Sequence, residues 1–140
     1  MKPVVIDASM AVTWTFPDEW SDLGETILTE ARRIRRITTP LFWYEYRNIL
    51  VTNALRKRFE RADIPILLEE AKRLEIESIE LFDHEKIINL ALHYRLTAYD
   101  ASYLALAVQE HAILATNDKQ LAQAAFSEGV ELRTSLLTQK

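Results

Sequence analysis

Four acidic residues stand in surroundings that are otherwise apolar. Asp7 directly follows the run Val4-Val5-Ile6, and Asp118 follows Ala112 to Ala115 after two polar residues. Asp100 precedes the nearly all-apolar stretch Ala101 to Val108, and Glu45 lies among Trp43, Tyr44 and Tyr46. Each aspartate has a plain alternative use. All three stand where a helix is expected to begin, and aspartate is a favoured N-cap. For Glu45 the alternative is an exposed charge on an amphipathic helix, which its neighbours disfavour. Glu45, Asn48 and Thr52 recur at i, i+3 and i+7 and draw a polar line along an otherwise apolar helix.

If these carboxylates meet, they repel one another and take up protons unless a cation joins them. Mg²⁺ suits such a set and Mn²⁺ is a second candidate, through hard oxygen ligands and retained waters. Such an ion activates water and polarises a phosphate, so an all-carboxylate site points to phosphodiester chemistry. Zinc fits poorly. The chain has no cysteine, and His84, His93 and His111 lack ligand spacing and lie away from the acids in sequence.

The elements that must position these acids alternate. Pro3 to Ile6, Ile37 to Thr39, Ile79 to Leu81, Ala112 to Ala115 and Val130 to Leu132 read as strands. Between them, Leu23 to Ile34, Phe42 to Leu50, Ile64 to Ala71, Ile87 to Leu92, the stretch opened by Asp100, and Leu121 to Ala125 have helical spacing. Asp83 is the expected N-cap of the fourth of these. This order predicts an α/β fold, a three-layer α/β/α sandwich with a mostly parallel central sheet. Val4-Val5-Ile6 and Ala112 to Ala115 are apolar at every position, as strands buried on both faces are. They are therefore expected to be central neighbours, with Asp7 and Asp118 at the carboxyl ends where sites form.

The 140 residues suit a single domain over 1–140. No apolar run approaches the ~20 residues that cross a bilayer, and the first residues do not read as a signal peptide. Absence of cysteine fits a reducing cytoplasm. The formal net charge of −4 argues against a surface that wraps nucleic acid as a whole. Two basic runs, Arg32-Arg33 with Arg35-Arg36 and Arg56-Lys57-Arg58 with Arg61, are either solvated helix ends or phosphate contacts.

Four stretches resemble the PIN-domain family, in its VapC class. They are Val5-Ile6-Asp7-Ala8-Ser9, Pro40 to Leu50, Tyr99-Asp100-Ala101-Ser102-Tyr103-Leu104-Ala105, and Leu114-Ala115-Thr116-Asn117-Asp118. Their order and spacing agree along essentially the whole chain. The resemblance implies Asp7, Glu45, Asp100 and Asp118 as the catalytic acids, with Asp7, Asp100 and Asp118 on the metal. It implies Ser9, Asn48 and Thr116 as supporting polar residues. It also implies RNA cleavage, a homodimer, and inhibition by a small antitoxin, alone or in a toxin–antitoxin hetero-oligomer. Relatives often carry a basic residue before the tryptophan near position 14, where this chain has Thr13.

Trp14, Phe16 and Trp20 lie near the first acid and either stack on unpaired bases or pack the core. Phe42, Trp43 and Tyr46 either line a groove for an inhibitor helix or pack on the sheet. Three other functions compete. A receiver-type phosphotransfer domain places adjacent acids after its first strand, where Asp7 stands alone, and a lysine where Arg133 follows Leu132. A haloacid-dehalogenase phosphatase needs an aspartate at the position of Ser9. A PIN-like scaffold that binds RNA or protein without cutting has no need of the intact acidic quartet.

Overall fold

The structure, a computed structural model, describes residues 1–136. The last four residues of the expected domain lie outside that range. The strands are β1 (Val4–Ile6), β2 (Arg36–Thr38), β3 (Glu77–Ser78), β4 (Ile113–Ala115) and β5 (Leu132–Arg133). The α-helices are α1 (Ala8–Thr15), α2 (Asp22–Ala31), α3 (Leu41–Leu55), α4 (Ile64–Lys72), α5 (His84–Tyr94), α6 (Ala98–Glu110) and α7 (Lys119–Ser127). Short 3₁₀ turns at Pro17–Glu19 and Arg61–Asp63 complete the chain. No helix among the described residues is long and apolar enough to cross a membrane.

The sheet is parallel throughout, in the order β3-β2-β1-β4-β5. Alternation along its central strands divides the molecule into layers. Val4 and Ile6 of β1, with Ile113 and Ala115 of β4, face a core built on α1 to α4 through Met10, Leu28, Phe42, Tyr46 and Leu67. Val5, Ile37 and Leu114 face the opposite core, built on α5 to α7 through Leu90, Leu104, Leu106 and Leu121. The expected three-layer α/β/α arrangement is therefore present. The continuously apolar runs are the strands covered on both sides, with Val5, Ile6 and Leu114 fully buried. Each such side chain contributes ~1.5–3 kcal/mol by leaving water.

From β1 the chain builds outward to β2 and β3, then returns to place β4 on β1's other side. The strand order thus reverses between β1 and β4, where open sheets form their crevice. The register sets Ile6 opposite Ala115. Asp7 and Thr116, each the next residue, consequently emerge side by side.

Two edge strands fall one to three residues from their expected places. The third pairs through Glu77–Ser78 rather than Ile79 to Leu81, because β2 ends at Thr38 and fixes the partners Ile37↔Glu77 and Thr38↔Ser78. Ile79 and Leu81 still pack on the second core, but from a loop. The fifth is Leu132–Arg133, opposite Leu114–Ala115. Apolar alternation there marked burial of the chain beyond the ladder itself. Asp83 caps α5 as expected, its side chain accepting from Lys86 N–H.

Candidate active site

Asp7 sits at the carboxyl end of β1, buried, with 4% of its surface exposed. It is the N-cap of α1: Oδ1 accepts from Met10 N–H at 3.0 Å and from Ser9 Oγ–H at 2.7 Å. Oδ2 accepts from the hydroxyl of Thr116. Burial pushes its pKa up to about 6. The Thr116, Met10 and Ser9 hydrogen bonds pull the other way, and the nearby charge of Asp118 adds to the rise. Capping and site chemistry are compatible in one side chain, since only one carboxylate oxygen serves the helix.

Asp118 repeats the pattern two residues beyond Thr116. It caps α7, with Oδ1 accepting from Leu121 N–H at 2.9 Å. Its own N–H donates to Thr116 Oγ1 at 3.0 Å. Asp100 differs from expectation. Thr97 is the N-cap of α6, accepting from Asp100 N–H at 3.0 Å, so Asp100 lies inside the first turn. Threonine competes well for the cap, and an acid one turn in still meets the helix dipole favourably. Burial raises the Asp100 pKa, the Asp118 charge raises it further, and Thr97 offsets part of this.

Glu45 is half-buried on α3 and accepts from the Tyr103 hydroxyl at 2.5 Å. Burial raises its pKa most; the Tyr103 hydrogen bond opposes this, and the charges of Asp100 and Asp118 add to it. The charge of Asp118 is thus felt by Asp7, Glu45 and Asp100 alike. The fold brings the four acids into one electrostatic neighbourhood at the carboxyl edge of the sheet.

Among the described residues, none of the four is paired with a lysine, arginine or histidine. The donors that reach Asp7, Glu45 and Asp118 are backbone amides and hydroxyls, which orient a carboxylate without cancelling its charge. Carboxylate oxygens that keep their charge are hard ligands of the kind a divalent cation takes. No group of three or more acidic or histidine side chains among the described residues stands grouped to hold a metal ion. Mg²⁺ keeps several of its waters and is commonly held by one or two carboxylates.

Of the supporting residues, Ser9 and Thr116 are held against Asp7, with their hydroxyls 3.3 Å apart. Asn48 is exposed, one turn beyond Glu45 on α3, and makes no side-chain hydrogen bond among the described residues. Two residues of the site carried no expectation. Tyr103 holds Glu45. Asn117 ties three segments together: its Nδ2 donates to Thr13 Oγ1 and Ser135 Oγ, both at 2.6 Å, and Oδ1 accepts from Ser135 N–H at 2.8 Å. Its N–H donates to Ser9 Oγ at 2.8 Å. Each lies inside a stretch that resembles the family, and Tyr103 follows Asp100 by one helical turn, the spacing of a shared face. A groove of about 540 Å³ beside Asp7 is lined by Ser9, Thr13, Ile49, Arg58 and Asn117, among others.

The aromatic residues divide. Phe16, Phe42 and Tyr46 are core residues, at most 2% exposed. Phe42 and Tyr46 therefore do not line an inhibitor groove; their rings stack on each other in the core. Trp14 packs on the same core and donates to Gly24 C=O at 2.9 Å, while Trp20 is 60% exposed. The basic runs are partly structural. Arg36 donates to the carbonyls of Ala31, Ile34 and Leu74, Arg35 pairs with Glu77, and Arg58 pairs with Asp18.

Comparison with known proteins agrees with this fold. The PIN domain family profile matches residues 4–127. Ribonuclease VapC3 of Pyrobaculum aerophilum is 30% identical over 124 residues, spanning 86% of this chain and 92% of that protein. The crystal structure of PAE2754 from Pyrobaculum aerophilum superposes with a TM-score of 0.70 at 21% identity, over 94% of this chain and 83% of that one. A domain of a functionally unknown protein from Methanocaldococcus jannaschii superposes with a TM-score of 0.52 at 17% identity, over 100% of this chain and 95% of that one. At these identities the two structures share the fold.

Proposed function

The chain belongs to the PIN domain family, in its VapC branch, and from that premise we propose that it is a divalent-metal-dependent endoribonuclease. One observation carries the reading. Asp7, Glu45, Asp100 and Asp118 share one edge of the sheet, the charge of Asp118 raises the pKa of the other three, and none of the four has a cationic partner among the described residues. A fold that gathers uncompensated charge sacrifices stability, and the return is affinity for a cation.

Asp7, Asp100 and Asp118 would hold Mg²⁺, with Mn²⁺ as an alternative. Bound there, the ion would supply Lewis acidity toward a phosphate and lower the pKa of a water. Glu45 completes the set or orients the attacking water. Ser9 and Thr116 hold the Asp7 carboxylate through their hydroxyls, and Asn48 is the further supporting residue. The substrate is RNA. The protein is proposed to act in the cytoplasm, as a single domain and a homodimer. It is the toxin of a toxin–antitoxin pair, held inactive by a small antitoxin.

The test is cleavage of total RNA by the purified protein with Mg²⁺ or Mn²⁺, with EDTA, Asp7→Asn and Asp118→Asn as controls. Cleavage that requires the metal and both aspartates is the expected result. Both variants cutting at the wild-type rate would refute the site assignment. RNA binding without cleavage under either metal would make the chain a non-cutting scaffold.

A further inference from the structure

We propose that Tyr103 is a positioning residue for Glu45, its phenol hydroxyl holding the carboxylate in place across the sheet edge while leaving its charge intact. This rests on the reading of Glu45 as part of the site. Tyr103 lies on α6 and is 1% exposed, its ring embedded in the core of one helical layer. Glu45 lies on α3, in the other layer, whose apolar residues pack the opposite core. The hydrogen bond from Tyr103 Oη to Glu45 Oε1, at 2.5 Å, is the one hydrogen bond between these two helices among the described residues. Glu45 accepts no other among those residues.

The consequence is specific. A half-buried glutamate has three rotatable bonds, and its position is set by whatever its carboxylate meets. Here only a phenol meets it, anchored by its own burial. The choice of donor also matters. An arginine would hold Glu45 equally well but would cancel the negative charge that a cation or an attacking water needs. A neutral hydroxyl orients the group and leaves its charge in place. Asp100 precedes Tyr103 by one turn on α6. One helix thereby places two of the four acids, Asp100 directly and Glu45 through the phenol.

Tyr103→Phe removes the hydroxyl and keeps the packed ring, so the amide NMR spectrum of the metal-free protein should remain folded. The carboxyl ¹³C resonance of Glu45, identified by its loss in Glu45→Gln, should move, while other resolved glutamate resonances stay. In RNA cleavage, kcat should fall by ~10-fold or more with KM unchanged, the scale of a misplaced catalytic group. Adding Tyr103→Phe to Glu45→Gln should cost nothing further, because residues acting as one unit are not additive. An unmoved Glu45 resonance, wild-type kcat in Tyr103→Phe, or full additivity would overturn the proposal. A wild-type protein that leaves RNA whole would defeat the nuclease reading instead, and the NMR arm would still decide whether Tyr103 holds Glu45.

Discussion

Thr116 links the acids at the ends of two adjacent strands: its hydroxyl donates to Asp7 Oδ2 and accepts the N–H of Asp118. The relationship follows from register. Ile6 faces Ala115 across the β1–β4 ladder, so the next residue on each strand meets its counterpart. Thr116 is fully buried, and no water competes for these bonds.

Thr116→Val keeps the shape and deletes the hydroxyl. Asp7 Oδ2 and Asp118 N–H both lose a partner, so stability should fall by ~1–3 kcal/mol, the cost of unpaired buried polar groups. Mn²⁺ affinity should weaken by ~10-fold or more, as when an outer partner of a ligand is lost. Urea unfolding and calorimetric Mn²⁺ titration measure the two effects. Unchanged affinity would reduce Thr116 to a turn residue.

Asp7 predicts an unusual pH dependence for the metal-free protein. Its folded pKa of about 6 lies above the ordinary 3.8, so the folded state binds its proton more tightly than the unfolded chain does. The associated stability is fully present below about pH 4 and is lost as pH rises through about 6. A shift of roughly two units corresponds to about 3 kcal/mol. Asp7→Asn keeps an oxygen for the helix cap and removes the ionisation. It should abolish cleavage yet make the metal-free protein more stable at pH 7, and flatten its stability between pH 4 and 7. Denaturation in EDTA across that range is the measurement; a less stable Asp7→Asn at pH 7 would contradict the account.

The central strands were legible because complete burial leaves an unbroken apolar run, as in Val4-Val5-Ile6. The edge strands were legible only approximately. Ile79 and Leu81 are apolar because they cover the core, while pairing is confined to Glu77 and Ser78 by the length of β2. The acids stood out because Asp7 and Asp118 interrupt such runs. Tyr103 and Asn117 did not. A tyrosine in an apolar helix reads as core, and only the three-dimensional approach of α3 to α6 shows where its hydroxyl goes. Likewise Phe42 and Tyr46 resemble an aromatic surface in sequence, and only their burial shows them to be core.

The basic run at Arg32 to Arg36 should separate by residue. Arg36 donates three hydrogen bonds to the carbonyls of Ala31, Ile34 and Leu74 and so closes the end of α2. Arg36→Ala should cost about 2 kcal/mol or more, since bonds from a charged donor are the stronger kind. Arg36→Lys should recover little, because the planar fork makes these bonds. Neither should change the salt dependence of RNA binding. A reduced salt slope at unchanged stability would instead assign Arg36 to phosphate contact.

Hydrolysis by water leaves a defined product. In-line attack on the phosphodiester gives 5′-phosphate and 3′-hydroxyl ends, whereas attack by the ribose hydroxyl gives a 2′,3′-cyclic phosphate. The carboxylate site predicts the first, and Glu45→Gln should lower kcat by ~100-fold or more if Glu45 orients the water. End-labelling of the cleaved RNA distinguishes the products. Cyclic phosphates, or cleavage in EDTA, would show that the acids are not the catalytic apparatus.

The same uncompensated charge predicts how the proposed antitoxin would act. A peptide arginine entering the crevice can engage a carboxylate with both arms of its guanidinium and replace the cation. Inhibitor and metal then compete, and linkage requires that each weaken the other's affinity by the same factor. Raising Mn²⁺ should therefore loosen the antitoxin, and adding antitoxin should release metal from the protein. Co-expression with the product of any small reading frame found beside this gene, followed by co-purification and metal analysis, tests the release. An arginine-to-alanine scan of that partner should restore cleavage at one position while binding persists through other contacts. Asp118→Asn should weaken inhibitor binding as well as metal binding, since the charge of Asp118 reaches the other three acids. A complex that retains full metal content and full activity would remove the toxin reading and leave the nuclease reading intact.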